Sequence, residues 1–134
     1  YLQKKHTLKS VGVIITDSRT LPLRWGTIGV SLGYSGFAPL NNYIGKKDLF
    51  GRRLEVTQSN IADALAVAAV LVIGEGAEQT PIAIMEDMPF VQFRDANPSK
   101  KELGIFNVDM RKDDMYAPVL QAVRWKKGGS KKKS

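Results

Sequence analysis

Ile61-Ala62-Asp63-Ala64-Leu65-Ala66-Val67-Ala68-Ala69-Val70-Leu71-Val72 is the stretch that decides the fold of this 134-residue chain. It is apolar nearly all round, so it reads as a buried helix, and its many alanines allow close packing. Thr57 or Ser59 is placed to cap its start, with Val56 stapling onto the first turn, and Gly74 and Gly76 end it. A helix with so little polar surface must be covered by a sheet, another helix or another chain. The apolar run contains Asp63 and is shorter than the ~20 residues needed to cross a bilayer.

Upstream, Val11-Gly12-Val13-Ile14-Ile15 is a β-branched run of strand length whose continuous apolarity predicts burial on both faces. It stops at Thr16-Asp17-Ser18-Arg19. Polar residues at the end of a buried strand either build a site or simply turn the chain, and both readings stand at this point. Pro22, set between Leu21 and Leu23, marks an irregular connection, after which Thr27-Ile28-Gly29-Val30-Ser31-Leu32 alternates loosely as a second strand. Residues 33–51 are rich in Gly, Asn, Pro and aromatics without a clean period and read as one long loop, a type of segment that often carries function. Leu54-Glu55-Val56-Thr57 reads as a short strand running into the helix. Pro81-Ile82-Ala83-Ile84-Met85 is a further expected strand, residues 90–93 a weaker one, and residues 97–101 a polar loop. Asp113 or Asp114 is placed to cap a last amphipathic helix with Tyr116, Val119, Leu120 and Val123 on one face. The expected fold is α+β, a mixed β-sheet packed against the alanine-rich helix and the C-terminal helix.

Composition bounds the chemistry. The chain is 43% apolar and 25% charged, enough for one core but not for two ordinary domains. Zero cysteines and a single histidine exclude a disulfide framework, a thiolate site and the usual zinc clusters, so any metal is held by oxygen. The net charge of +7 is concentrated at the end: residues 126–134 hold five lysines and no acid, leaving +2 for the other 125 residues. That segment reads as a flexible Lys/Gly/Ser tail, and residues 1–125 as one domain. A basic excess confined to a tail, without a recognised binding motif, argues against nucleic acid as the partner. The first ten residues carry charges and no apolar run suited to a signal sequence, although the chain opens on Tyr1, as an excised piece would. The expected location is soluble and cytoplasmic.

Walker, GxGxxG, GxSxG and HExxH motifs are absent, and Gly74-Glu75-Gly76 alone is more often a helix cap than a phosphate turn. The ordered blocks are more specific. Gly12-Val13-Ile14-Ile15-Thr16-Asp17-Ser18, Pro22 and Arg24, Gly29 and Gly33, Tyr43-Ile44-Gly45, Asp48 and Gly51-Arg52-Arg53-Leu54 come first. Val56-Thr57, Ile61-Ala62-Asp63, Leu65, Ala68-Ala69 and Val72-Ile73-Gly74-Glu75-Gly76 follow. Across residues 12–85 this set resembles the coenzyme F-420:L-glutamate ligase family, including its branch assigned to folate metabolism.

The resemblance implies a GTP-dependent amide ligase that requires Mg²⁺ or Mn²⁺ and joins L-glutamate to an acceptor carboxylate of deazaflavin or folate type. It implies metal contacts for Asp17, Ser18 and Glu75, and nucleotide contacts for Gly74, Glu75 and Gly76. Carboxylate and hydroxyl oxygens suit such cations, and backbone N–H groups freed by glycines can approach phosphate. Arg19, Arg24, Lys46 and Lys47 are candidates to hold phosphate or carboxylate, or are solvated surface cations. Family members are about twice as long and form intertwined dimers, so the resemblance also implies that a homodimer or a second chain with the missing half completes the site. A non-catalytic binding or scaffold domain of the same fold is the alternative, with nucleic-acid binding through the tail a weaker one.

Overall fold

The computed structural model of the chain describes residues 1–104, 108–109, 114–124 and 126. The elements run α1 (Leu2–His6), β1 (Val13–Thr20), β2 (Thr27–Ser35), β3 (Leu40–Asn42), β4 (Gln58–Asn60), α2 (Ile61–Ile73), α3 (Lys100–Leu103) and α4 (Ala117–Gln121). The chain divides into two compact units, Tyr1–Leu103 and Gly104–Ser134, and the first carries every element but α4.

The architecture is α+β as expected, but its sheets are two antiparallel pairs, β1 with β2 and β3 with β4, rather than one mixed sheet. Residues 21–26 are too few for a parallel crossover, so β1 and β2 close as a hairpin. The polar run Thr16-Asp17-Ser18-Arg19-Thr20 does not end β1; it forms the second half, paired with residues 31 back to 27. Nor is β1 buried on both faces. Ile14, Thr16 and Ser18 are half-buried while their neighbours are exposed, Ile15 at 64%. The alternation is that of a strand with one covered side.

Pairing shifts by one residue between Ile15 and Thr16, leaving Leu32 as an unpaired bulge residue in β2. Gly29 and Ser31 before the bulge, and Tyr34 after it, are the buried positions of β2. Against this side lies α2. A Cβ on Gly29 would sit 2.3 Å from the Ala66 carbonyl oxygen, so glycine is what lets the helix backbone touch the strand. Ala62 and Ala66 are fully buried, and with Ile61, Leu65, Ala69, Tyr34 and Phe37 they make the core.

Asn60 caps α2, in place of Thr57 or Ser59. Its side chain accepts the Asp63 N–H at 3.0 Å and returns an amide N–H to Asp63 Oδ2 at 2.7 Å. Val56 is 78% exposed and staples nothing. The helix ends at Gly74 as expected, with φ +86 and its N–H bonded to the Val70 carbonyl.

Other expectations shift. The strand before α2 is β4, at Gln58–Asn60, rather than residues 54–57. Residues 33–51 are not one loop: β2 runs to Ser35, β3 follows, and Asp48 organises the next turn by accepting the N–H groups of Phe50 and Arg52. Residues 81–85 form no strand, and Ile82 and Ile84 stay exposed, because no described segment pairs with that backbone. Of residues 90–93 only Phe93 bridges, to Phe37. Lys100–Leu103 is a helical turn, not loop. The last helix shrinks to five residues with Pro118 in its first turn, and Asp114 Oδ1 accepts the Tyr116 N–H just ahead of it. Asp113 and residues 127–134 of the expected tail lie outside the described residues. No described helix is long and apolar enough to cross a membrane.

Candidate functional site

Three contacts fix α2 along β2. Asp63 Oδ1, in the first turn, accepts the Ser31 N–H at 2.9 Å, in the strand segment beside the bulge. Ala66 rests on Gly29 in the middle. Beyond the far end, Glu75 meets Thr27. The helix therefore runs opposite to β2, and its thirteen residues, about 20 Å long, carry Gly74-Glu75-Gly76 to the end of the hairpin where Ser18 and Thr27 lie.

There the Glu75 carboxylate is held on both oxygens. Ser18 Oγ donates to Oε2 at 2.9 Å and Thr27 Oγ1 donates to Oε1 at 3.2 Å. Ser18 and Thr27 come from adjacent strands and lie on the side of the hairpin that carries the helix. Asp17 projects from the opposite side by strand alternation, yet its Oδ1 accepts the Ser18 backbone N–H at 2.8 Å. A hydroxyl that donates to a carboxylate keeps its lone pairs for a cation, and the carboxylate keeps unused lone pairs of its own. Hydroxyl and carboxylate oxygens such as those of Ser18 and Glu75 are of the type hard divalent cations prefer, while the Asp17 side chain comes from the other side of the strand. No group of three or more His, Cys, Asp or Glu side chains gathers as a metal site among the described residues.

The glycine turn is occupied by its own chain. Gly76 N–H donates to Glu78 Oε2 at 2.7 Å, and a Cβ on Gly74 would lie 2.5 Å from the Glu78 carboxyl carbon. The N–H group expected to meet phosphate is thus already engaged with a carboxylate. Of the four basic candidates, none is hydrogen-bonded or ion-paired to Ser18 or Glu75 among the described residues. Arg19 lies exposed on the strand side that carries Asp17, and Arg24 is exposed in the hairpin connection. Lys46 has its Nζ 4.8 Å from the centre of the Tyr43 ring, and the Lys47 backbone pairs with that of Arg53 in an isolated antiparallel bridge.

Sequence reasoning missed Thr27 and Glu78. Thr27 was visible two residues ahead of Gly29, on the same side of a strand by period two. Glu78 carried no signal, since its role depends on how the chain folds back after Gly74.

The described chain is thus an α+β protein whose helix delivers a carboxylate to two hydroxyls near the turn end of a β-hairpin. The family model described as F420-0:Gamma-glutamyl ligase matches residues 2–87, and the chain belongs to that family. It is 44% identical over 104 residues to the "Coenzyme F420:L-glutamate ligase" of Methanococcus maripaludis strain C7, a match covering 75% of this chain and 42% of the relative. The relative of that name from Methanocaldococcus jannaschii is 46% identical over 89 residues, 65% of this chain and 36% of its own length. That from Methanothermobacter thermautotrophicus is 37% identical over 105 residues, 75% of this chain and 42% of its own. The chain spans about two fifths of the length of the curated relatives it matches.

Proposed function

We propose that this chain forms part of a γ-glutamyl ligase that uses GTP and a divalent metal to join L-glutamate to a carboxylate acceptor of deazaflavin or folate type. The names of its relatives support the deazaflavin branch. The observation that carries the site is the contact of Glu75 with Ser18, which joins the two sequence blocks expected to hold metal across 57 residues of chain.

A carboxylate is a poor electrophile and needs activation before an amine can displace its oxygen. In the proposed reaction the acceptor carboxylate attacks the γ-phosphate of GTP, releasing GDP and leaving an acyl phosphate. The α-amine of glutamate then adds to that carbonyl, phosphate departs with the C–O electron pair, and the amine proton passes to solvent. Ser18 and Glu75, with Asp17 beside them, would hold Mg²⁺ or Mn²⁺, which when bound supplies neutralisation of phosphate charge. Glu78 would give up the Gly76 N–H to a phosphate oxygen, and Arg19 or Arg24, near the same end of the hairpin, would meet further anionic groups.

Two carboxylates do not complete a coordination sphere, and Val13, Ile15 and Leu32 on one side of the hairpin, like Leu71 and Val72 on α2, are exposed. A second copy of the chain, or a polypeptide carrying the rest of the relatives' length, would cover such surface and add ligands. The same incompleteness supports a non-catalytic binding domain as the second reading.

Incubation with GTP, Mn²⁺, glutamate and a deazaflavin acceptor, alone and with the remaining length of a relative supplied as a separate chain, tests this. The expected result is a product heavier by one glutamyl residue, lost in Asp17→Asn and Glu75→Gln. Normal turnover by either variant overturns the site, and no product in either mixture favours the binding domain.

A further inference from the structure

Glu75 stands between Gly74, at φ +86, and Gly76, with no helix to hold it, so its side chain has no inherent direction. Its direction comes from β1 and β2. Ser18 Oγ takes one oxygen and Thr27 Oγ1 the other, at 2.9 and 3.2 Å. The two hydroxyls differ in what else they can do. Ser18 follows Asp17 directly and sits with it among the oxygens assigned to the cation. Thr27 has no carboxylate beside it in sequence and touches the group only through Glu75.

We infer that Thr27 is a positioning residue: its hydroxyl fixes Glu75 Oε1 so that the carboxylate meets Ser18 and presents its free lone pairs to a divalent cation. This rests on the reading of Glu75 as a metal ligand given above. A donor to the ligand's second oxygen restricts rotation of the carboxylate, and loss of such an outer partner typically weakens metal binding about 10- to 100-fold. The hairpin explains why the donor comes from this position. Thr27 is the first residue of β2, paired with Thr20, and lies on the same side as Gly29, where α2 makes its closest approach. The contact that brings the helix down on Gly29 thereby brings Glu75 within reach of Thr27.

The test is a Mn²⁺ titration of the full 134-residue chain, followed by loss of the free-ion electron paramagnetic resonance signal, with unfolding in urea measured in parallel. Thr27→Val removes the donor and keeps the shape, Thr27→Ala serves if valine fails to fold, and Thr27→Ser restores the hydroxyl. Expected are a Kd for Mn²⁺ raised about tenfold in Thr27→Val, recovery in Thr27→Ser, and an unchanged urea midpoint in both. Glu75→Gln separates the two levels of the argument. If it weakens Mn²⁺ binding while Thr27→Val and Thr27→Ala bind like the parent, Thr27 has no positioning role and Glu75 keeps its place. If Glu75→Gln binds Mn²⁺ like the parent, or the parent does not bind it, both assignments fall.

Discussion

Asp63 and Glu75 lie at opposite ends of α2 and tie it to the same strand by opposite means. Asp63 is half-buried. One of its oxygens holds the Ser31 backbone N–H and the other the Asn60 amide, so both serve to join cap, helix and hairpin. Glu75 is exposed, flanked by glycines, and held by two hydroxyls that leave lone pairs on every oxygen involved. A half-buried carboxylate tied to backbone and amide donors stabilises a fold; an exposed one tethered by side-chain hydroxyls stays open to a ligand.

Substitutions can break this contrast at several strengths. The largest effect is expected between the two ends: Gly29→Val drives a side chain into the Ala66 backbone and should cost about 3 kcal/mol in urea unfolding. Asp63→Ala comes next, removing the reciprocal cap and leaving the Ser31 N–H without its partner, at about 2 kcal/mol.

A third carboxylate sharpens the comparison because its partner is a charge. Arg94 hydrogen-bonds Glu102, with the Ser99 N–H also donating, and holds that carboxyl down to about 2 from an ordinary 4.5. A carboxylate depressed in the folded state adds stability that is complete above about pH 4.5 and is lost as the pH falls towards 2. Glu102→Gln should therefore lower stability at neutral pH, flatten the fall over that window and leave stability below about pH 2 comparatively unaffected, as thermal melts across pH will show. Last, Glu75→Gln should change urea stability by less than about 0.5 kcal/mol, being an exposed group, while abolishing the metal-dependent properties proposed for it. A large loss of stability in that variant would erase the distinction between the two ends.

How much of this could be read from residues follows the same division. The centre of α2 was legible because apolar and alanine residues fill it and Gly74 stops it. Its cap reads in sequence as Thr57 or Ser59, one to three residues early, though Asn60 followed three residues later by Asp63 is a reciprocal capping pattern in its own right. The second half of β1 was hidden because Asp17 and Ser18 suit turns, and only the pairing with residues 27–31 makes them strand. Residues 81–85 failed in the other direction: β-branched content cannot supply a missing neighbour. In the site, Ser18 and Glu75 were named from ordered blocks and the structure brings them together. Thr27 and Glu78 were not named, because each matters through a contact that chain proximity alone does not announce.

The bulge at Leu32 also bears on misfolding. Ile28, Val30, Leu32 and Tyr34 alternate without interruption in the sequence, so a straight β2 would put all four on one side and turn Gly29 and Thr27 to the other. That competing ladder is the apolar pattern's own preference, and against it stand the Asp63 bond to Ser31 and the missing side chain at Gly29. Those two features favour the native pairing over the one the hydrophobic pattern alone suggests. Shortening the strand by Leu32 would remove the rival while leaving Thr27, Gly29 and Ser31 turned towards the helix, making this residue a frustration point on the folding landscape.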